Sequence, residues 1–268
     1  MSTKAFFDAV RPILGGKLNQ QQVEGLAMIL DATADLPISY RAYLLATAHH
    51  ETGGNMSPKR ENLNYSVDGL LKTFGRDRIT VEQAKKYGRS GSRPADQQAI
   101  ANVIYGGAWG RDNLGNTQPN DGWDFRGRGQ VQVTGRRNYE RTKSATGVDV
   151  VSHPDKMLDP KISVTALVRG CVEGWFTRKK LSDYLPVDYY GARRVVNGTD
   201  KAESIAKLAR RYEAALRLLP KSAPVIDAEP APAPALPVDL PAQAEPDTET
   251  QPGPLARLWA AVVSVFRK

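Results

Sequence analysis

The spacing of apolar residues over the first 220 positions predicts a mainly helical protein. Between residues 19 and 30 apolar side chains recur every three or four positions, and Asn19 precedes them as a candidate N-cap. A later segment carries Asp200 and Glu203 at the spacing of a capping box. By the same criteria helices are predicted within 3–36, 66–74, 96–104, 160–180 and 200–219.

A further predicted helix begins near Pro37 and ends in a carboxylate. Its last turns contain Glu51, and Gly53 with the next glycine supplies the positive-φ conformation that stops a helix. The negative end of the helix dipole and partial burial both disfavour the charged form of a carboxyl group. We therefore expect Glu51 to keep its proton, as a general acid requires.

A second acidic residue, Glu61, follows in a polar segment ten positions later. Lys59 and Arg60 precede it and are expected to keep it ionised. Glycoside hydrolysis uses two carboxyl groups in different environments, one protonated and one charged. The pair fits that chemistry, although a single helix-end glutamate is more often a solvated surface residue.

Two stretches without helical periodicity are candidates for substrate contact. Residues 105–123 are predicted to form a long loop, and long loops in compact domains often carry function. Its tryptophans are either core anchors or faces for sugar rings, and we assign Trp123 to sugar binding. In the second stretch, alternation of Val131 and Val133 predicts an extended segment with Gln132 and Thr134 on the opposite face.

Composition divides the chain into three parts: a catalytic domain over 1–220, a disordered Pro- and Ala-rich acidic linker over 221–252, and an amphipathic helix over 253–268. The whole chain has a net charge of +8, the linker −5 and the last segment +3, which leaves +10 on residues 1–220. Such an excess favours an anionic polymer. Since the sequence has no zinc-finger, RNA-recognition or basic-zipper pattern, we expect the bacterial wall rather than nucleic acid.

Other sequence features indicate the location of the protein and its use of metals and membranes. The N-terminus lacks a secretory signal, so we expect a monomeric protein that stays in the host cytoplasm until its release. The single cysteine, Cys171, lies in an apolar run and is expected to be buried and inert. The histidine spacing fits no metal site, and we expect neither metal nor cofactor. The segment 253–268 is too short to span a bilayer but suits contact with a membrane or envelope.

Three motifs, taken together, resemble glycoside hydrolase family 19, and most of all its bacteriophage endolysin branch. They are His50-Glu51-Thr52-Gly53-Gly54, then Glu61-Asn62-Leu63-Asn64-Tyr65-Ser66, and finally residues 127–139, which read GRGQVQVTGRRNY. The resemblance covers about residues 1–220. It implies a lysozyme-like, two-lobed helical domain with a cleft, and an inverting hydrolase that acts on polymers of N-acetylated amino sugars.

The resemblance also implies roles for individual residues. It implies that Glu51 is the general acid and Glu61 the general base. It also implies that Thr134 helps to hold the attacking water. Inverting enzymes keep their two carboxyl groups roughly 6.5–9.5 Å apart to admit that water. Together with Trp123, the residues assigned to substrate binding are His50, Asn64, Tyr65, Gln132, Asn138 and Asn197.

We therefore expect an endolysin that hydrolyses peptidoglycan between N-acetylmuramic acid and N-acetylglucosamine and so lyses a host cell. Three alternatives remain open: a chitinase on the same scaffold, a lytic transglycosylase that needs one acid and no water, and a non-catalytic wall-binding or virion module. Plant family members differ from this chain by having several disulfides and a more distant second glutamate. Chitin is for that reason the less favoured substrate.

Overall fold

The computed structural model describes residues 3–91 and 93–220, and within them helices predominate, as predicted. The predicted linker and C-terminal amphipathic helix lie outside the described residues. The only two strands of the described chain, β1 (Lys59–Arg60) and β2 (Arg128–Gly129), pair antiparallel. The α-helices, α1 to α11 in chain order, are Thr3–Val10, Gln20–Ala32, Ile38–Thr52, Val67–Thr73, Val81–Tyr87, Gln97–Ile104, Gly107–Leu114, Asp121–Asp124, Arg136–Thr146, Pro160–Glu173 and Ala202–Leu216. Short 3-10 helices cover Arg11–Ile13, Pro154–Leu158, Leu181–Asp183 and Gly191–Val195.

Buried apolar side chains form two separate cores, consistent with a two-lobed domain. The first core gathers residues from 6–56 and from 125–216, and in it α3 packs along α11 while α10 contacts α2, α3 and α9. The second core takes all of its buried members from 63–114, between the two halves of the first. Glu51 stands at the end of the central helix of the first core, and Glu61 stands just before the first residue of the second.

Several helix ends follow the predicted capping chemistry. Asn19 accepts a hydrogen bond from the Gln22 N–H and completes a reciprocal capping box, and Ser66 caps α4. Helix α3 ends at Gly53, which is left-handed at φ 66°. The predicted capping box at Asp200 is wrong, because α11 begins one residue later, after Lys201, with no side-chain cap.

The prediction of a long loop over 105–123 also fails. Residues 107–114 form helix α7 and residues 121–124 form α8, so the stretch 105–123 is not a structureless loop. Helix α7 escapes a periodicity search because its sequence, GAWGRDNL, contains few apolar residues. Its end is nevertheless well determined, since Gly115 adopts the left-handed conformation and donates to the carbonyls of Gly110 and Arg111.

Candidate active site

Glu51 is held by a buried ion pair. Its Oε1 accepts a hydrogen bond from Nη1 of Arg193 at 2.7 Å, and both side chains are inaccessible to solvent. Arg193 belongs to the 3-10 helix Gly191–Val195, 142 positions away in sequence. The predicted general acid therefore contacts a positively charged group from a distant part of the chain.

Part of this ion pair remains available for other bonds. Among the described residues, neither Oε2 of Glu51 nor Nη2 of Arg193 has a hydrogen-bond partner, and the same holds for Nδ2 of Asn197. All three atoms are buried. Because buried polar atoms are normally paired, these three mark a place where a ligand or water atom is expected to bond.

Strand β1 connects the surroundings of the two carboxyl groups. Lys59 pairs with Gly129 and Arg60 with Arg128, and the Glu61 N–H extends this pairing by bonding to the Gly127 carbonyl at 2.8 Å. Side chains two positions apart on an extended strand lie on the same face, so Lys59 and Glu61 share one face. Lys59 interacts electrostatically with Glu51, and burial is the main cause that lowers the pKa of its ammonium group. Both carboxylates therefore lie on the Lys59 side of the ribbon.

Glu61 is buried and accepts two hydrogen bonds. The Tyr105 hydroxyl donates to Oε1 at 2.6 Å, and the Gly127 N–H donates to Oε2 at 3.0 Å. Loss of hydration raises the pKa of Glu61, and the two donors offset that rise only in part, together with the charges of Arg126 and Arg78. The expected charged base in a polar loop is thus a desolvated carboxyl that retains its proton more readily than a free glutamate.

The role expected for Arg60 beside Glu61 is also wrong. Arg60 lies on the other face of the ribbon and bonds to Asp155 at 2.6 Å, while Lys59 interacts with Glu51. Alternation along the strand explains the difference, because neighbours in sequence point to opposite faces. The surroundings of the two carboxyl groups therefore differ, because a guanidinium contacts Glu51 whereas burial raises the pKa of Glu61.

The segment 128–133 is a tight turn rather than an extended strand. Arg128 and Val133 form a bridge, and Gln132 adopts the left-handed conformation at φ 52°. Its Nε2 donates to the carbonyls of Lys59 and Gly129, so Gln132 fastens the turn to β1. The predicted alternation of faces fails for this reason: Gln132 is buried together with its two valine neighbours.

The other predicted residues fall into two groups. Thr134, whose hydroxyl donates to the Gln132 carbonyl, is half-buried beside the turn, and Asn138 Nδ2 donates to the Thr134 carbonyl. His50 is adjacent to the Glu51–Arg193 pair, and burial, its main perturbation, lowers its pKa. His50 and Asn197, whose N–H donates to the Arg193 carbonyl, therefore lie beside the ion pair, whereas Thr134 and Asn138 lie beside the Gln132 turn.

Three predicted binding residues have other surroundings. Tyr65 is buried in the second core, where its ring meets Phe74 edge-on at 5.5 Å between centroids. Asn64 is exposed, and its backbone N–H bonds to the Asn62 side chain. The Trp123 ring is stacked against the Arg126 guanidinium at 3.5 Å and packs on the second core, so one of its two faces is already covered.

Sequence reasoning missed Arg193 and Tyr105, which contact the two carboxyl groups directly. Of the turn that contains Arg193, only Asn197 is predicted to bind substrate. A basic residue in a turn gives no sequence signal of burial. Tyr105 lies at the start of the predicted loop 105–123.

Cys171 is buried as predicted, and burial raises the pKa of its thiol. In the part of the chain that the structure describes, no three His, Cys, Asp or Glu side chains cluster closely enough to hold a metal ion, and no helix has both the length and the apolar character to cross a bilayer.

Comparison with known proteins gives one relative in sequence and solved structures of low sequence identity. No family model matches the chain. Over 110 residues it is 40% identical to a glycosyl hydrolase family 19 domain-containing protein of Haemophilus influenzae, a match that covers 41% of this chain. The chain thus spans half the length of that relative (50%).

Solved structures of chitinase C from Streptomyces griseus HUT6037 and of a chitinase C mutant each have a TM-score of 0.45 with this chain, at 15% and 14% identity. Each alignment covers 81% of this chain and 76% of the other. At these values we draw no argument about chemistry from the structures. The sequence likeness, together with the two buried carboxylates, supports a glycoside hydrolase of the family 19 type.

Proposed function

We propose that the protein is a peptidoglycan hydrolase that cuts the glycan strand between N-acetylmuramic acid and N-acetylglucosamine, and that it acts as an endolysin on the wall of a host cell. One observation carries the proposal: two buried carboxyl groups lie on the same side of one ribbon in opposite electrostatic environments. Glu51 is paired with Arg193, and Glu61 is desolvated and bonded to neutral donors. Glycosidases that use two carboxyl groups require this kind of difference.

In the mechanism that we propose, Glu51 protonates the leaving oxygen and Glu61 activates the water that attacks from the opposite side. Thr134, beside the Gln132 turn, helps to hold that water. These roles require a proton on Glu51 and a charge on Glu61, and burial raises the pKa of Glu61 in the ligand-free structure.

The net charge of +10 on residues 1–220 supports the choice of substrate. Chitin is a neutral polymer, whereas the bacterial wall carries carboxylates and phosphates. A strongly basic protein gains both affinity and association rate with an anionic wall. The alternative chitinase activity makes no use of this charge.

Clearing of purified murein tests the proposal. Wild type is expected to clear it and to release products with ordinary reducing ends of inverted configuration. Glu51→Gln and Glu61→Gln are each expected to lower the rate at least a hundredfold, in line with the loss of a general acid or base. Glu24→Gln, which removes an exposed carboxylate of α2, serves as the matched control and is expected to retain full activity.

Each alternative predicts a different outcome in the same assay. Anhydromuramic ends on the products would establish a lytic transglycosylase. Faster cleavage of chitin oligomers than of murein would establish a chitinase. Binding to murein without any new ends, unchanged in both glutamine variants, would establish a non-catalytic wall-binding module.

A further inference from the structure

Arginines gather on the face of the ribbon that is turned away from Glu61. Arg60 and Arg128 are direct cross-strand partners, and both bond to Asp155: Nη2 of Arg60 at 2.6 Å and Nε of Arg128 at 2.9 Å. Arg126 lies close enough to repel both. Three guanidinium groups therefore surround a single bridging carboxylate, and we call them the arginine cluster (Arg60, Arg126 and Arg128).

Arg128 is fully engaged within the protein. Its side chain is 3% exposed, and besides Asp155 it donates to the carbonyls of Asp124 and Arg126 and to the Tyr139 hydroxyl. It holds the turn and the ribbon together through Nε and Nη1. Of the other two members, Arg60 has a side chain that is 43% exposed, whereas Arg126 is 6% exposed.

Arg126 has no carboxylate within ion-pair distance anywhere in 3–91 or 93–220. Its guanidinium stacks 3.5 Å over the Trp123 ring, and Nη1 donates to the Trp123 carbonyl at 2.7 Å. This stacking fixes the plane of the group, and none of its other nitrogens bonds to an acceptor among the described residues. Burial, and then the charges of Arg128 and Arg60, lower the pKa of Arg126 to about 10.

The neighbouring carboxyl groups relieve this repulsion only in part. Asp155 is shared between Arg60 and Arg128, and an Asp124 oxygen accepts a hydrogen bond from Asn120. Glu61 is held on the opposite face by Tyr105 and Gly127, and its raised pKa favours the uncharged form. An added anion beside Arg126 and Arg60 would gain charge-assisted hydrogen bonds to a planar group already fixed in place.

We propose that Arg126 and Arg60 form an anion-binding site for the carboxylates of the wall glycan, separate from the two catalytic carboxyls. The site would distinguish a carboxylated strand from a neutral one of the same sugar backbone. The choice of ligand rests on the proposed function, since peptidoglycan carries carboxylates on its muramic acid residues and on their peptides. The dissociation constant of the glycan, rather than the rate of cleavage, is the quantity that reports on this site.

The test compares the dissociation constants of two fluorescently labelled ligands. One is a peptide-free glycan strand with its lactyl carboxylates intact, and the other is the same strand with those carboxylates amidated. Intact murein fragments with peptides form a third arm, which shows whether peptide carboxylates also occupy the site. Wild type is expected to bind the carboxylated strand about tenfold more tightly than the amidated one, the effect of one charge-assisted hydrogen bond.

Arg126→Gln and Arg60→Gln are each expected to bring the ratio of the two dissociation constants close to one. The matched control is Arg169→Gln, because Arg169 is about as exposed as Arg60 (46% against 43%) and is also paired with one carboxylate. It removes one positive charge far from the ribbon and is expected to leave the ratio unchanged. Should Arg126→Gln fail to fold by its melting curve, Arg60→Gln alone decides the test.

Three results would overturn the inference. They are equal affinity of wild type for the two strands, an unchanged ratio in the Arg60 and Arg126 variants, and an equal loss in those variants of binding to a single-stranded oligonucleotide of the same charge. The last result would indicate a general polyanion surface. Failure of the proposed function is a separate result, because it shows as the absence of new reducing ends from any strand, whatever the binding ratio.

Discussion

Arg193 and Glu51 form the one ion pair of the described chain in which neither side chain is exposed to solvent at all. Such a pair gives little net stability compared with an apolar pair, but removal of one partner leaves a buried charge without compensation. The pair joins α3 to a turn near the start of α11, two regions that also pack together in the first core. Its main effect is therefore to hold one catalytic carboxyl in a single position.

Arg193→Met is expected to lower the free energy of unfolding by about 3–5 kcal/mol, because Glu51 is left buried and unpaired. The double variant that also carries Glu51→Gln should recover most of this loss, since no charge then remains. Urea unfolding at neutral pH measures both. Arg169→Met, which breaks an exposed pair, should cost less than about 1 kcal/mol; an equal loss in the two single variants would contradict the prediction.

Glu61 makes stability depend on pH in a direction opposite to that of most carboxylates. Because its pKa is raised in the folded state, its stabilising contribution is complete below the ordinary value of 4.5 and is lost as pH rises through the folded pKa. Glu61→Gln has no proton to lose. The free energy of unfolding of wild type minus that of the variant should therefore fall as the pH increases from the ordinary value of 4.5 through the folded pKa of Glu61. Urea titrations at several pH values measure this difference. A constant difference would show that Glu61 is not perturbed.

Tyr105 is a positioning residue for Glu61. Tyr105→Phe removes the hydrogen bond to Oε1, which stabilises the charged form, so the pKa of Glu61 should rise further. If Glu61 acts as the base, the ascending limb of the plot of murein cleavage rate against pH should move to higher pH. Tyr212→Phe removes a buried hydroxyl that bonds to His49 instead and should leave that limb in place. A uniform fall in rate without movement of the limb would indicate a structural role only.

At the scale of elements, local signals predicted helix ends well. Asn19 and Gly53 each act as predicted, because a cap is a bond between residues that lie within four positions of each other. The failed predictions, at α7, at the turn 128–133 and at the start of α11, concern segments whose conformation is determined by distant partners. Gln132, for example, is left-handed while its amide bonds to Lys59, 73 positions away.

Helix α2 approaches the chain after α3 so closely that only glycine fits at position 25. A Cβ on Gly25 would overlap the carbonyl of Met56, and that carbonyl also accepts a hydrogen bond from the Gln130 side chain. Gly25→Ala should cost about 1–3 kcal/mol by overpacking and should lower murein cleavage, because it displaces the support of the turn. At Gly53 a Cβ meets no atom within 4 Å, so Gly53→Ala should cost only the strain of its positive φ, about 1 kcal/mol. Thermal unfolding and murein-cleavage assays compare the two variants. A larger loss of stability in Gly53→Ala than in Gly25→Ala would contradict the packing argument.

At the scale of the whole molecule, we propose that net charge and the C-terminal segment determine how the enzyme reaches its substrate. Residues 253–268 lie outside the described part of the structure, and their proposed contact with a membrane or envelope rests on the sequence pattern alone. Deletion of 253–268 is expected to leave clearing of purified murein unchanged and to weaken lysis of intact cells. Equal loss on both substrates would refute the proposal, and replacement of the segment by a Gly/Ser stretch of equal length controls for chain length.

The order of residues along the chain was sufficient to predict the helical class, several caps, the buried cysteine and the two acidic residues, because each depends on local bonds, local periodicity or a short motif. Only the tertiary structure decided what surrounds those acids. Arg193 reaches Glu51 across 142 positions and Tyr105 reaches Glu61 across 44. The protonation of a buried carboxyl depends on the charges and donors within a few ångströms of it, and these come from segments whose proximity no local pattern encodes.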